Sequence, residues 1–161
     1  MLAIYDRPFK FPTGNMKCCC YQELNTFLPS GESVGKVKED CWYCVPSYSL
    51  YSVAQGQQEP TLKYKVHMPT CCGGVCVNVC KEGCCSCRIP FYIYTPGKQG
   101  DNDEIGKIVK VWSGLGTELF TDADKFELLF PTDADPGNKA TLLGMLFLLN
   151  TMFFERDTNK N

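Results

Sequence analysis

Residues 62–68 alternate strictly between apolar and polar. Leu62, Tyr64, Val66 and Met68 are apolar, and Lys63, Lys65 and His67 stand between them. A period of two with one apolar face predicts a half-buried β-strand. Shorter runs of the same kind predict strands over Ser33–Lys38, Ser47–Val53, Val75–Cys80, Phe91–Tyr94, Ile105–Trp112 and Phe126–Phe130. Turn material such as Pro29-Ser30-Gly31, Cys72-Gly73-Gly74 and Pro96-Gly97 separates them. Many short strands at this spacing predict an antiparallel meander that closes into a barrel or sandwich. There is no internal repeat, and Lys98–Glu104 reads as an exposed loop.

The last part of the chain has a different pattern. Asn138 can cap a helix starting at Lys139, with Pro136-Gly137 just before it. From Ala140 to Phe154 the sequence ATLLGMLFLLNTMFF carries no charge. A helix apolar on all sides must lie in protein or in lipid. Fifteen residues at ~1.5 Å each give roughly 22 Å, short of a ~30 Å hydrocarbon core. The length favours a buried helix over a membrane span. A barrel wrapped around one hydrophobic helix, residues 139–155, satisfies both halves of the pattern.

With 161 residues the chain fits a single domain, residues 1–161. A formal net charge of −2 argues against a protein held on nucleic acid by bulk positive charge. Residues 1–11 break any apolar run with Asp6, Arg7, Pro8 and Lys10, so they do not form a signal peptide. Residues 1–5 read as a strand cut open, which leads us to expect missing sequence upstream. Twelve cysteines and one histidine are the outliers. A cysteine-rich chain without an export signal is expected to keep its thiols reduced.

The cysteines fall into three groups. Cys18, Cys19 and Cys20 follow Lys17 directly. Adjacent thiols share one tetrahedral metal poorly. They suit reversible acylation, especially beside Arg7, Lys10 and Lys17, which an anionic leaflet would attract. Inert thiols are the alternative. Cys41 and Cys44 form a C-x2-C pair. Cys71, Cys72, Cys76, Cys80, Cys84, Cys85 and Cys87 crowd a Gly-rich stretch. Zinc needs four thiolates or imidazoles, so this stretch is a zinc candidate, with acylation, redox chemistry and a purely structural role as alternatives.

Residues 122–133 read DADKFELLFPTD, and between positions 100 and 135 nine acidic residues face three lysines. Asp122, Asp124 and Asp133 could offer carboxylates to a hard cation such as calcium. The segment is not an EF-hand: its sixth position is Glu127 where a turn glycine is needed, and its twelfth is Asp133 in place of a bidentate Glu. A solvated loop beside a strand is the alternative. His67 lies on the polar face of its strand and is expected to be solvated. No Gly-rich phosphate loop or nucleophile elbow is present, so an enzyme is the reading with least support.

Taken in order, these segments resemble the phospholipid scramblase family. The motifs are GKIVKVWSG from Gly106, then ELFTDADKFELLFPTDAD, then a hydrophobic helix ending in Met152-Phe153-Phe154-Glu155. Upstream, Cys18–Cys20 leading into Tyr21-Gln22-Glu23, and the strand Val34-Gly35-Lys36-Val37, fall in the same order. The resemblance implies a mainly β, Tubby-like fold, an antiparallel barrel around the C-terminal helix, here incomplete at its N-terminus. It implies calcium-dependent, ATP-independent, bidirectional movement of phospholipids across the plasma membrane by a translocator that is not a chemical catalyst.

The resemblance places calcium on Asp122, Asp124, Phe126, Glu127 and Asp133, and palmitate on Cys18, Cys19 and Cys20. An import stretch of some members would fall on Gly106–Gly114. The expected partners are membrane phospholipids and not nucleic acid, with protein partners through the cysteine-rich loop. The expected location is the cytoplasmic face, held by acyl chains or by the C-terminal helix. The alternatives carried forward are a lipid-binding or signalling adaptor of the same fold without transport, and a zinc-stabilised protein-binding module.

Overall fold

The computed structural model describes residues 2–8, 10, 20–42, 45–53, 59–68, 89–98, 103–111 and 125–154. Among the described residues eight strands form one sheet: β1 (Ile4–Asp6), β2 (Glu23–Phe27), β3 (Ser33–Glu39), β4 (Ser47–Ser52), β5 (Thr61–His67), β6 (Ile89–Tyr94), β7 (Glu104–Val111) and β8 (Lys125–Leu129). Each strand pairs antiparallel with the next in sequence, so spatial order equals chain order. The sheet curls into a half-barrel around the C-terminal helix α1 (Pro136–Leu149), which ends in a wider π-turn over Asn150–Phe154.

Pure meander topology sorts the connections by end. Those after β1, β3, β5 and β7 leave one end of the sheet. Those after β2, β4 and β6 leave the other, together with the turn from β8 into α1. All twelve cysteines belong to the first set: Cys18–Cys20 after β1, Cys41 and Cys44 after β3, and Cys71–Cys87 after β5. We call this the cysteine end.

Alternation decides which side chains meet the helix. Leu24, Val37, Leu50 and Tyr64 stand opposite one another across β2 to β5, and all four are buried. Tyr48, Val66 and Ile93 form a second buried row, and Phe91 and Ile108 extend the concave core over β6 and β7. Leu142, Met145, Leu148 and Leu149 of α1 complete it. Glycines let the helix close on the sheet. A Cβ added to Gly35 would run into Thr141 Oγ1, and one added to Gly144 would sit 2.7 Å from Leu24 Cδ2 and from Tyr5 Cε1. The Tyr5 hydroxyl also donates to the Ala140 carbonyl at 2.9 Å, which ties β1 to the helix.

Most predicted strands are present with shifts of a residue or so. The helix starts earlier than expected. Its N-cap is Asp135, whose carboxylate accepts from the Asn138 backbone N–H at 2.7 Å, and Pro136 occupies the first helical position. Asn138 is inside the first turn, where its side-chain amide donates to the same carboxylate at 2.9 Å. A proline with no N–H to satisfy suits that first position, which is why the cap moves three residues upstream. The strand expected over Val75–Cys80 lies outside the described residues. β2 was not foreseen, because Glu23, Asn25 and Thr26 hide its alternation.

Candidate functional site

Among the described residues, the helix is enclosed by the sheet on one side only. β1 and β8 are the edges of the sheet, and among the described residues nothing pairs them to each other. Between them runs a strip of α1. Leu143 is 42% exposed and Phe147 is 54% exposed, and both lie one turn apart on the same face as Lys139 and Thr151. Phe147 touches the Tyr5 ring with centroids 5.8 Å apart. Leu2, Ile4 and Leu129, near the two edges, are exposed as well. The apolar face expected to hide inside a closed barrel is thus buried against β2, β3 and β4 and open along this strip. Among the described residues no helix is long and apolar enough to cross a membrane.

The acidic segment is divided by β8. Asp122 and Asp124 fall between β7 and β8 in the sequence and lie outside the described residues. Asp133 follows β8. Five extended residues span about 17 Å, whereas calcium holds its oxygens at ~2.3–2.6 Å. Between these ends, Phe126 turns into the barrel and Glu127 lies on the outer face. Of the expected ligands, Phe126 and Glu127 thus face opposite sides of β8 and Asp133 lies beyond its C-terminal end; Asp122 and Asp124 lie outside the described residues.

Asp133 has a structural occupation instead. Its Oδ2 pairs with Lys63 Nζ at 2.9 Å, and its Oδ1 accepts from the Tyr64 hydroxyl at 3.0 Å. The Lys63 bond, opposed in part by burial, holds the Asp133 carboxyl below the usual carboxylate range. Burial, reinforced by the Asp133 charge, pushes the Tyr64 phenol well up. The turn from β8 into α1 is thereby latched onto β5, and two residues later Asp135 caps the helix.

The cysteine end carries a second polar cluster. Glu39, fully buried, accepts from the Gln22 backbone N–H and from the Trp42 indole N–H, both at 2.8 Å. Burial, with the Glu39 charge second, raises the Tyr48 phenol well above its ordinary value. Arg7 donates to Thr151 Oγ1 at 2.7 Å and to Gln22 Oε1 at 3.0 Å, joining the end of the helix to the start of β2. Lys10 pairs with Glu23 at 3.1 Å. Two of the three cations expected to face an anionic leaflet are thus engaged within the protein, and Lys17 lies outside the described residues.

Of the cysteines, Cys20 is half-buried and Cys41 is an exposed free thiol. Cys18, Cys19, Cys44 and the zinc candidates Cys71, Cys72, Cys76, Cys80, Cys84, Cys85 and Cys87 lie outside the described residues. Among the described residues no three acidic, cysteine or histidine side chains form a metal-binding group.

On the outer face at the same end, Asp40 gathers Lys65 Nζ at 2.9 Å, Ser49 Oγ at 2.6 Å and Ser47 Oγ at 3.1 Å. His67 is not solvated as expected. Its ring is stacked on Tyr94 with centroids 4.5 Å apart, and its Nδ1 lies 2.9 Å from the Met68 carbonyl. Lys110 of the expected import stretch is only 9% exposed, and residues 106–111 are sheet; 112–114 lie outside the described residues. The latch, the Glu39 cluster and the Asp40 cluster were all missed from sequence. Only the lysines flanking Tyr64 hinted at them.

A meander half-barrel curled around an apolar helix, with every cysteine falling in the connections after β1, β3 and β5, defines a class of architecture and not yet a function. The scramblase family model matches residues 2–156, so the chain belongs to the scramblase family. It is 39% identical over 143 residues to phospholipid scramblase 1 of Mus musculus, covering 88% of this chain and 38% of that protein. It is 36% identical over 137 residues to phospholipid scramblase 2 of Bos taurus, covering 85% and 41%. To phospholipid scramblase 4 of Homo sapiens it is 31% identical over 158 residues, covering 94% and 40%. The chain thus spans about two fifths of the length of these relatives. No solved structure matches it.

Proposed function

We propose that this chain takes part in moving phospholipids between the leaflets of a membrane. The observation that carries the reading is the family match across residues 2–156, supported by relatives named phospholipid scramblases. The fold contributes a surface suited to the task. The strip of Leu143 and Phe147 between the two sheet edges is apolar, linear and open, so acyl chains can lie against it while headgroups meet the polar outer face. No bond is made or broken in this account. The protein lowers the barrier to passage and needs no nucleotide.

The finer parts of the proposal are calcium triggering, acylation and position. Calcium would be taken by Asp122 and Asp124 after β7, and no step is routed through Asp133, which Lys63 and Tyr64 already hold. Palmitate on Cys18, Cys19 and Cys20 would fasten the cysteine end to the cytoplasmic face of the plasma membrane. Two or more acyl chains are needed for stable anchoring.

The test is reconstitution of the full chain into vesicles holding labelled phospholipid, read with a quencher that reaches only the outer leaflet. Calcium-stimulated loss of the protected signal, absent with chelator, is the expected result. Folded, vesicle-bound protein that leaves the inner pool protected would favour the adaptor reading.

A further inference from the structure

The open strip of α1 carries a cation at each end. Lys139, Leu143 and Phe147 follow one another at helical spacing and share a face, and Thr151 continues it in the π-turn. Lys139 is exposed, with its Nζ 5.9 Å from the centre of the Phe130 ring. At the other end Arg7, just after β1, donates to Thr151 Oγ1 at 2.7 Å. From Lys139 to Thr151, at ~1.5 Å per residue, the strip is about 18 Å long. Leu143, Phe147 and the Tyr5 ring against Phe147 supply the apolar surface between the two cations.

Neither charge is cancelled. Both partners of Arg7 are neutral: the Thr151 hydroxyl, and the Gln22 amide oxygen at 3.0 Å. They aim the guanidinium and use two of its N–H groups, and a guanidinium has more to donate. Among the described residues Arg7 and Lys139 form no ion pair. The acids on neighbouring elements are turned elsewhere. Glu23 on β2 pairs with Lys10 and Lys36, Asp135 holds Asn138, and Asp6 alternates to the opposite side of β1 from Tyr5.

A phospholipid has the complementary pattern, a phosphodiester anion on a long apolar tail. A strip of about 18 Å is close to half of a ~30 Å hydrocarbon core, so it matches one acyl chain in length. Arginine offers a phosphate a two-pronged hydrogen bond, and lysine offers a point charge. Building on the reading that lipid meets this strip, we propose that Arg7 and Lys139 are two stations for the phosphodiester group of a phospholipid. Its acyl chain lies along Leu143 and Phe147 between them. The phosphate is what is recognised, so zwitterionic and anionic phospholipids both bind.

The test uses the isotopically labelled full chain and a short-chain phosphatidylcholine kept below its micelle concentration, followed by NMR. The expected result is saturable shifts at the Arg7 side chain, Leu143 and Phe147. The diacylglycerol with the same two chains should bind roughly tenfold more weakly, the worth of one charge-assisted hydrogen bond. Inorganic phosphate alone should leave Leu143 and Phe147 unmoved. The Arg7→Gln, Lys139→Gln double variant should lose affinity by a similar factor, and Lys139→Arg should keep it. Arg7 also ties the helix end to β2, so if the double variant does not fold, Lys139→Gln alone decides, by the loss of lipid-induced shifts around position 139. A wild type that binds no phospholipid, equal affinity for phospholipid and diacylglycerol, or unchanged binding by the folded variants would overturn the stations. Flip in vesicles separates this from transport. Equal flip by wild type and folded double variant would overturn the stations and leave transport standing. Phosphate-dependent binding without flip by the wild type would support the stations and remove transport.

Discussion

Helix and sheet approach closely at Gly35, and adding one methyl group there should push them apart. Alanine at an ordinary strand position would be neutral or slightly favourable, because glycine weakens a strand. Here the new Cβ overlaps Thr141 Oγ1, and it also lies 3.0 Å from the Tyr51 carbonyl and 3.1 Å from Thr141 Cβ. Thr141 cannot easily swing away, since its hydroxyl donates to the Gly137 carbonyl at 2.9 Å and the residue is buried. The Tyr51 carbonyl is backbone and gives even less. The helix must therefore lift off β3, loosening the contacts of Leu142 and Met145. Overpacking of this kind costs about 1–3 kcal/mol. Gly35→Ala should lower unfolding stability by that amount in a denaturant titration followed by circular dichroism. Thr141→Ala removes the overlapping oxygen, so the double variant should recover at least ~1 kcal/mol relative to the sum of the singles, as expected for residues in direct contact. A neutral Gly35→Ala, or strict additivity in the double variant, would show that the helix does not rest on β3.

Other consequences follow from the same contacts. Met145→Ala should cost about 2–5 kcal/mol, since a fully buried side chain at the centre of the helix face leaves a cavity; equal stability would place the helix elsewhere. Because Lys63 lowers the Asp133 carboxyl, the latch stabilises the fold above the unfolded carboxylate value near ~4 and loses that contribution as pH falls through the folded value. Asp133→Asn should therefore reduce stability at neutral pH and flatten its acid dependence below about pH 4, and unaltered acid dependence would remove the latch. Both partners are largely solvent-exposed, so the ion pair itself should contribute no more than ~1 kcal/mol. For calcium, Asp122→Ala should weaken binding measured by calorimetry while Asp133→Asn leaves it unchanged; the reverse order would return Asp133 to the site.

Much of the fold was legible because alternation and turn chemistry are local. The Leu62–Met68 pattern marks β5, Pro96-Gly97 supplies a turn in which Gly97 takes φ +84°, and the uncharged run after Ala140 marks a helix that must be covered. β2 escaped because polar Thr26 points inward, so burial there is not signalled by hydrophobicity. The helix cap escaped because Asp135 and Asn138 are both good caps, and Pro136 breaks the tie only once its place in the first turn is known. The candidate site was legible as composition and not as geometry. Counting carboxylates over 122–133 says nothing of the alternation of Phe126 and Leu128, which makes residues 125–129 a strand with Glu127 on its outer face. His67 was read as solvated because its strand face is polar; Tyr94, two strand positions away on β6, is what covers it.

Transport by this fold depends above all on lipid meeting the open strip of the helix. Flip of labelled phospholipid should be measured side by side for wild-type protein and for the Leu143→Asn, Phe147→Asn double variant, in the same vesicles with calcium and with chelator. Both side chains are substantially exposed, so the variant should keep most of its stability in a thermal melt. The prediction is calcium-stimulated flip by the wild type and little above protein-free vesicles for the folded variant. Equal flip by the two proteins, or none by folded and vesicle-bound wild type, would contradict it.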